Sequence, residues 1–310
     1  MKKNSNYFYL LFALVLVLLL PACQSSASAG NQENGGESTA SAYIQNKGSD
    51  TIVNLALAWA ERYQQEHPEV RISVTGGGTG TGIASLINGT VDIANASRQI
   101  KDEEVESAKS GGIDPQEIVI ARDAIAVIVH PDNPVQNLTM EQVSQIFQGK
   151  INNWKEVGGE DRQIVRISRE TNSGTHVYFL EAVIRLGDSE SKTIFAADTL
   201  LLPSSEGIIS EVGDNPNAIG YDGLGYVTPH VKVVGIAEEE GGEYVLPSAE
   251  TVNAGTYPIS RDLYMYTDKE PGEAVRTYLD WILSPEAQTI VTDLGFVPVV
   301  SSASSYTGKP

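Results

Sequence analysis

The chain has 310 residues but only one cysteine, four histidines and 21 basic side chains against 40 acidic ones. A lone cysteine closes no internal disulfide and builds no multi-cysteine zinc centre. His67, His130, His176 and His230 fall at no ligand spacing, so nothing points to metal catalysis. The formal charge of −19 lacks the basic footprint that a nucleic-acid partner requires. It also gives an anionic ligand no long-range attraction, so an anion site in this chain must work through short-range donors. Two nucleotide signatures are missing as well. There is no Gly-x-x-x-x-Gly-Lys-Ser/Thr, and Thr81 stands where a dinucleotide fingerprint starting at Gly76 needs its third glycine. No cofactor is expected.

What is present begins with an address. Met1-Lys2-Lys3 precedes an apolar run over 7–20 and then Leu20-Pro21-Ala22-Cys23. A short basic start, an apolar stretch too short to span comfortably and a small residue before the cut describe a secretory signal peptide. The expectation is a signal peptide over 1–22, with Cys23 as the first residue of the mature chain. Residues 23–42, rich in Ser, Gly, Ala and Asn, read as a tether.

From residue 43 strand-like and helix-like segments alternate. Extended stretches near 44–46, 70–75, 91–94, 165–168 and 219–221 are interleaved with helical patterns over 51–67, 83–88, 102–110, 140–147, 174–184, 204–212 and 273–283. The class is therefore α/β with parallel sheets. Two extended runs, 118–129 and 257–266, exceed what one buried strand needs. They read as the chain crossing between two lobes and back, with lobe one over 43–126 plus 259–310 and lobe two over 127–258. A ligand would sit in the cleft between them, at the carboxyl ends of the strands.

Three junctions share a pattern in which a strand ends, small hydroxyl and glycine residues follow, and a helix begins. They are Gly48-Ser49-Asp50-Thr51, Gly78-Thr79-Gly80-Thr81-Gly82 and Arg169-x-x-x-Ser173-Gly174-Thr175. A helix N-terminus offers unpaired N–H groups and partial positive charge, glycine admits close approach, and hydroxyls add directed donors. Any one of these could be an ordinary N-cap. Three together, with Arg98 and Arg169 nearby as oxyanion forks, point to an anion site. A nucleophile pair of Ser173 with His176 is the enzymatic alternative, without a Gly-x-Ser-x-Gly elbow to support it.

These segments, with Asp92-Ile93-Ala94-Asn95-Ala96-Ser97-Arg98, Asn153-Trp154, Ala218-Ile219-Gly220-Tyr221 and Tyr257-Pro258-Ile259-Ser260-Arg261, resemble the phosphate-binding lipoproteins of phosphate-specific ABC transporters, the PstS family. Leu-x-Ala-Cys at 20–23 likewise resembles a bacterial lipobox, with Cys23 lipidated. The resemblance implies a two-lobed type II periplasmic-binding fold, each lobe a mostly parallel sheet flanked by helices and joined by two crossover strands. It implies no catalysis. Inorganic phosphate would be held by Ser49, Thr51, Thr79, Ser97, Arg169, Ser173, Gly174 and Thr175, and a monomer anchored to the cell membrane would deliver it to ABC permease subunits. Some members place an aspartate where Arg98 stands here, to accept the ligand's proton and reject sulfate. Arg98 is therefore carried as a candidate ligand, and Asp123 is preferred over Asp50 as the acceptor. A salt bridge from Asp123 to Arg98 or Arg122 is the plainer alternative. Another tetrahedral oxyanion (sulfate, molybdate) or a surface-sensor role on the same fold remains open.

Overall fold

A computed structural model describes residues 42–299. The signal peptide, Cys23 and the tether up to residue 41 lie outside the described residues. The elements run β1 (Ala42–Gly48), α1 (Asp50–Glu66), β2 (Val70–Thr75), α2 (Thr79–Ile87), β3 (Ile93–Ala96), α3 (Asp102–Ser110) and β4 (Pro115–Val129). There follow β5 (Asn137–Thr139), α4 (Met140–Phe147), β6 (Val165–Arg169), α5 (Gly174–Phe179), β7 (Leu200–Leu202), α6 (Ser205–Asp214), β8 (Ala218–Gly223), β9 (Lys232–Val233), β10 (Gly235–Ala237) and α7 (Ala249–Asn253). The chain returns through β11 (Ser260–Asp268), α8 (Glu273–Ile282), α9 (Pro285–Asp293) and β12 (Val297–Pro298).

The main sheet has the order β2-β1-β3-β11-β4-β8-β6-β7. β1 lies parallel between β2 and β3, and β6 lies parallel between β7 and β8. Each of these triplets has a switch point, where successive helices leave in opposite directions and open a crevice at the carboxyl strand ends. Between the triplets the pairing is antiparallel. β4 faces β11 from Pro115 to Ala124 and faces β8 from Ile125 to Val129. The sheet is thus mixed, with the two long strands antiparallel to their neighbours rather than continuing a parallel ladder.

α1 forms because Ile52, Leu55, Ala56, Trp59, Ala60 and Tyr63 recur on one face, which is buried against Ile44, Ile93 and Met265. Trp59 adds an indole hydrogen bond of 2.8 Å to the Ala287 carbonyl. A second cluster gathers Val127, Val143, Phe147, Phe179 and Tyr221 around the β6–β8 half, where the rings of Phe179 and Tyr221 stack at 3.5 Å.

Two expectations shift. The helix placed at 83–88 starts earlier, at Thr79, even though Gly80 and Gly82 fall inside it. A Cβ on Gly82 would lie 2.6 Å from both Gly48 Cα and the Lys47 carbonyl, so close docking on β1 requires glycine there and outweighs its poor helix propensity. The helix expected over 174–184 is α-helical only to Phe179 and continues as a π-helical turn over Leu180–Ile184. Among the described residues, no helix is long and apolar enough to cross a membrane.

Candidate functional site

The carboxyl ends of β1, β3 and β6 bring the sequence-predicted hydroxyls together. Ser49 follows β1, Thr51 lies in the first turn of α1, Thr79 opens α2 and Ser97 follows β3; Ser173 and Thr175 arrive from α5. All six are buried. Ser49 donates to Ser97 Oγ at 2.9 Å, and Ser97 Oγ lies 3.2 Å from Thr79 Oγ1. Thr51 Oγ1 meets Thr175 Oγ1 at 2.8 Å, which joins the β1–β3 half to the β6–β8 half.

Ser49 occupies an N-cap position yet makes no side-chain capping bond, whereas Ser204, Ser284 and Thr139 each accept a backbone N–H of their own helix. Its hydroxyl is turned into the cluster instead, which separates it from an ordinary cap. Ser173 does cap, accepting from Thr175 N at 3.2 Å. Gly174 must be glycine, since a Cβ there would stand 2.4 Å from Thr79 Oγ1 and 2.5 Å from Ser97 Oγ.

Two buried guanidinium groups flank these hydroxyls. Arg261, on β11, donates through Nη1 to the Ser97 carbonyl (2.8 Å) and through Nη2 to Thr175 Oγ1 (2.9 Å) and Asp123 Oδ2 (3.0 Å). Arg169 donates to Asp50 Oδ2 (2.7 Å), Ser205 Oγ (2.8 Å) and the Pro203 carbonyl (2.9 Å). Asp222 takes Ser205 Oγ and Gly223 N on Oδ1, while its Oδ2 lies 3.8 Å from Arg169 Nη1. Burial pushes the Asp123 carboxyl up to about 6 against the opposing pull of Arg261, and burial likewise raises Asp222. Arg169 Nε, Arg261 Nε and Asp222 Oδ2 are buried without a hydrogen-bond partner. Such groups are costly to leave unmet, so this region holds unspent donors beside an unspent acceptor.

Arg98 is not brought to the hydroxyls. Its guanidinium forms a two-pronged pair with Glu104 at 2.7 and 2.8 Å and donates to the Gln99 carbonyl. It lines a neighbouring cavity of about 440 Å³ shared with Tyr178, Arg261, Asp262 and Tyr264. The acidic first turn of α3 explains this capture, because Glu104 is three residues past the helix-capping Lys101 and aims back at the loop. Asp123 pairs with Arg261, and with neither Arg98 nor Arg122, which reaches Asn253 instead. Both carboxylates have each oxygen engaged, Asp50 by Gly77 N and Arg169 Nη2 and Asp123 by Leu224 N (3.3 Å) and Arg261 Nη2. His176 Nδ1 lies 3.1 Å from Ser168 Oγ, which in turn meets Tyr221 OH, so its recorded bond is with Ser168 rather than Ser173. Burial lowers the His176 pKa, against a backbone hydrogen bond to Arg169 that raises it.

Arg261, Ser205 and Asp222 were not among the residues read from sequence as ligands. Arg261 had a signal. It closes the Tyr257-Pro258-Ile259-Ser260-Arg261 segment, although only the strand register sets it directly opposite Asp123 across β11 and β4. Asp222 and Ser205 carry no comparable mark, because Tyr-Asp-Gly and Ser-Ser-Glu read as a strand end and a helix cap.

Among the described residues, no group of three or more His, Cys, Asp or Glu could hold a metal ion. Hydroxyls, helix N-termini and guanidinium groups converge on one buried place, which suits a small oxyanion. The adjacent carboxyls suit a ligand that still carries a proton.

A family model described as a PBP superfamily domain matches residues 34–286. The phosphate-binding protein PstS of Pseudomonas aeruginosa is 33% identical over 273 residues, covering 83% of each chain. Its Bacillus subtilis namesake is 32% identical over 306 residues, covering 96% of this chain and 95% of that protein. Among solved structures, a putative phosphate ABC transporter substrate-binding protein with bound phosphate from Clostridium perfringens superposes with a TM-score of 0.74 at 34% identity, covering 83% of this chain and all of that one.

Proposed function

The chain belongs to the PstS family of phosphate-binding proteins, with the type II periplasmic-binding fold, and from that premise we propose that it captures inorganic phosphate for an ABC importer. The observation that carries this reading is the buried hydroxyl cluster bridged by Arg261, in which donors from both sheet halves face one another with no metal or nucleotide motif nearby. In this reading Ser49, Thr51, Thr79, Ser97, Ser173 and Thr175 donate to the oxyanion, Gly174 permits their approach, and Arg261 takes the place given to Arg98. Arg169 positions the α5 turn and offers its free Nε. Asp123 accepts the ligand's proton.

The protein acts without covalent chemistry. The hydrolase reading has no recorded bond from His176 to Ser173 behind it: His176 Nδ1 meets Ser168 Oγ and the ring stacks on Phe195. The lobes, 43–126 with 259–310 and 127–258, part along β4 and β11 to admit the ion. Cys23 carries the lipid that holds the protein outside the cytoplasm, and permease subunits in that membrane receive the phosphate.

Isothermal titration of the purified protein with phosphate, then with sulfate as competitor, tests the reading. Saturable phosphate binding that persists in excess sulfate is expected. Equal competition by sulfate would replace it with a general oxyanion receptor, and absence of heat with either ion would overturn it.

A further inference from the structure

The glycine loop between β2 and α2 has a partner that is not a ligand. Gly80 N donates to the Asn172 carbonyl at 3.0 Å, and Asn172 Nδ2 donates to the Gly77 carbonyl at 3.0 Å. Gly77 N donates to Asp50 Oδ1 at 3.0 Å, and Asp50 Oδ2 accepts from Arg169 Nη2 at 2.7 Å. Because Arg169 and Asn172 belong to one short turn, these bonds close a ring. Asp50, Gly77 and Gly80 enter it from the β1–β2 side, and Arg169 and Asn172 from the β6 side.

The glycines fit this ring. Gly78 has φ +87, and a Cβ on it would stand 2.9 Å from the Asn172 carbonyl oxygen; one on Gly76 would stand 2.4 Å from Asp50 Oδ1. The close approach that glycine allows here is therefore chain to chain. The Gly80 amide, one of the donors that a helix N-terminus leaves unpaired, is spent on Asn172 and is withdrawn from any anion. Asn172 itself is exposed, whereas the hydroxyl cluster is buried.

We propose that Asn172, through this ring, is a positioning residue that clasps the two halves and sets how long a bound oxyanion is retained, without touching it. The ring favours the closed arrangement, and an ion buried among Ser49, Thr51 and Thr175 leaves only when it opens. The ring also forms without ligand, and capture proceeds from the fraction in which it is open, so weakening it does not slow capture. The effect on retention rests on the phosphate-binding reading, whereas the ring itself does not.

Asn172→Asp keeps the side chain's shape, removes its N–H donors and sets a carboxylate against the Gly77 carbonyl. Stopped-flow measurement with inorganic phosphate should show dissociation about five- to tenfold faster, with association not reduced, as expected for one exposed hydrogen bond turned into a repulsion. Gly78→Ala, which pushes on the Asn172 carbonyl that accepts from Gly80 N, should act in the same direction. Hydrogen exchange of the Gly80 amide, measured without phosphate, should quicken in Asn172→Asp while amides of β1 stay protected. Dissociation unchanged within twofold, or affinity lost through slower association, would overturn the retention role. An unchanged Gly80 amide would overturn the ring. If the wild type binds no phosphate, the phosphate reading fails and the retention role falls with it, while the Gly80 exchange still decides the ring.

Discussion

Asp123→Asn separates the two consequences of burying a carboxyl beside an oxyanion site. Asp123 is fully buried, and its protonation midpoint rises from 3.8 to about 6 because burial outweighs the attraction of Arg261. A carboxyl with a raised midpoint in the folded state stabilises the fold most below the unfolded midpoint, and that contribution is lost as pH rises through 6. Over the whole range the loss is about 3 kcal/mol, of which about 2 kcal/mol falls between pH 4.5 and 7.5. Asparagine mimics the protonated carboxyl and has no such dependence. Urea unfolding of both proteins at the two pH values should therefore show the variant gaining about 2 kcal/mol on the wild type as pH rises, and this double difference cancels the other titrating groups. Binding must follow the same midpoint. An ionised Asp123 accepts the proton of hydrogen phosphate but meets sulfate as one unpaired negative charge meets another. Sulfate should compete weakly with phosphate at pH 8 and increasingly below pH 6, and should compete at both pH values in Asp123→Asn. A wild type that excludes sulfate equally at pH 5 and pH 8, or a variant that still excludes it, would refute the assignment of Asp123 as acceptor.

Three further substitutions probe the rest of the site. Arg98→Ala should leave phosphate affinity within about threefold by titration, because Glu104 already holds that guanidinium away from the hydroxyls. Arg261→Met should abolish measurable phosphate binding and lower the unfolding free energy by about 3–5 kcal/mol in urea, since it strands the buried Asp123 carboxylate and empties the contacts to Ser97 and Thr175. Gly174→Ala drives a methyl into Thr79 Oγ1 and Ser97 Oγ, so phosphate affinity should fall by at least about tenfold, with far-UV circular dichroism unchanged.

Strand-to-helix junctions were the legible part of this molecule, and the reason is local. Gly48-Ser49-Asp50-Thr51 and Ser173-Gly174-Thr175 announce themselves because a strand end, a cap and a helix start lie within a few residues of one another. The long runs over 118–129, rich in Ile and Val, and 257–266, carrying three Tyr with Ile, Leu and Met, were legible as extended stretches longer than one buried strand needs, and they became β4 and β11. What sequence could not supply was register. Arg98 stands next to Ser97 in the chain, whereas Arg261 stands next to Ser97 in space, because β11 lies between β3 and β4. Adjacency along the chain therefore favoured Arg98, and nothing in a linear reading weighs Glu104's claim on it.

The glycine loop teaches the complementary point. Its composition implied close backbone approach, and the structure has that approach, chain to chain, at Asn172. Of its residues only Thr79 joins the hydroxyl cluster. Charge follows the same division. Asp50, Asp123 and Asp222 outnumber Arg169 and Arg261 around the site, so a divalent anion enters an already negative enclosure unless a carboxyl is protonated or the ligand brings its own proton. Hydrogen phosphate meets that demand by sharing its proton with the ionised Asp123, whereas sulfate has no proton to offer. Selectivity for a protonated oxyanion then comes from the balance of buried charges across two strands, which no single motif encodes.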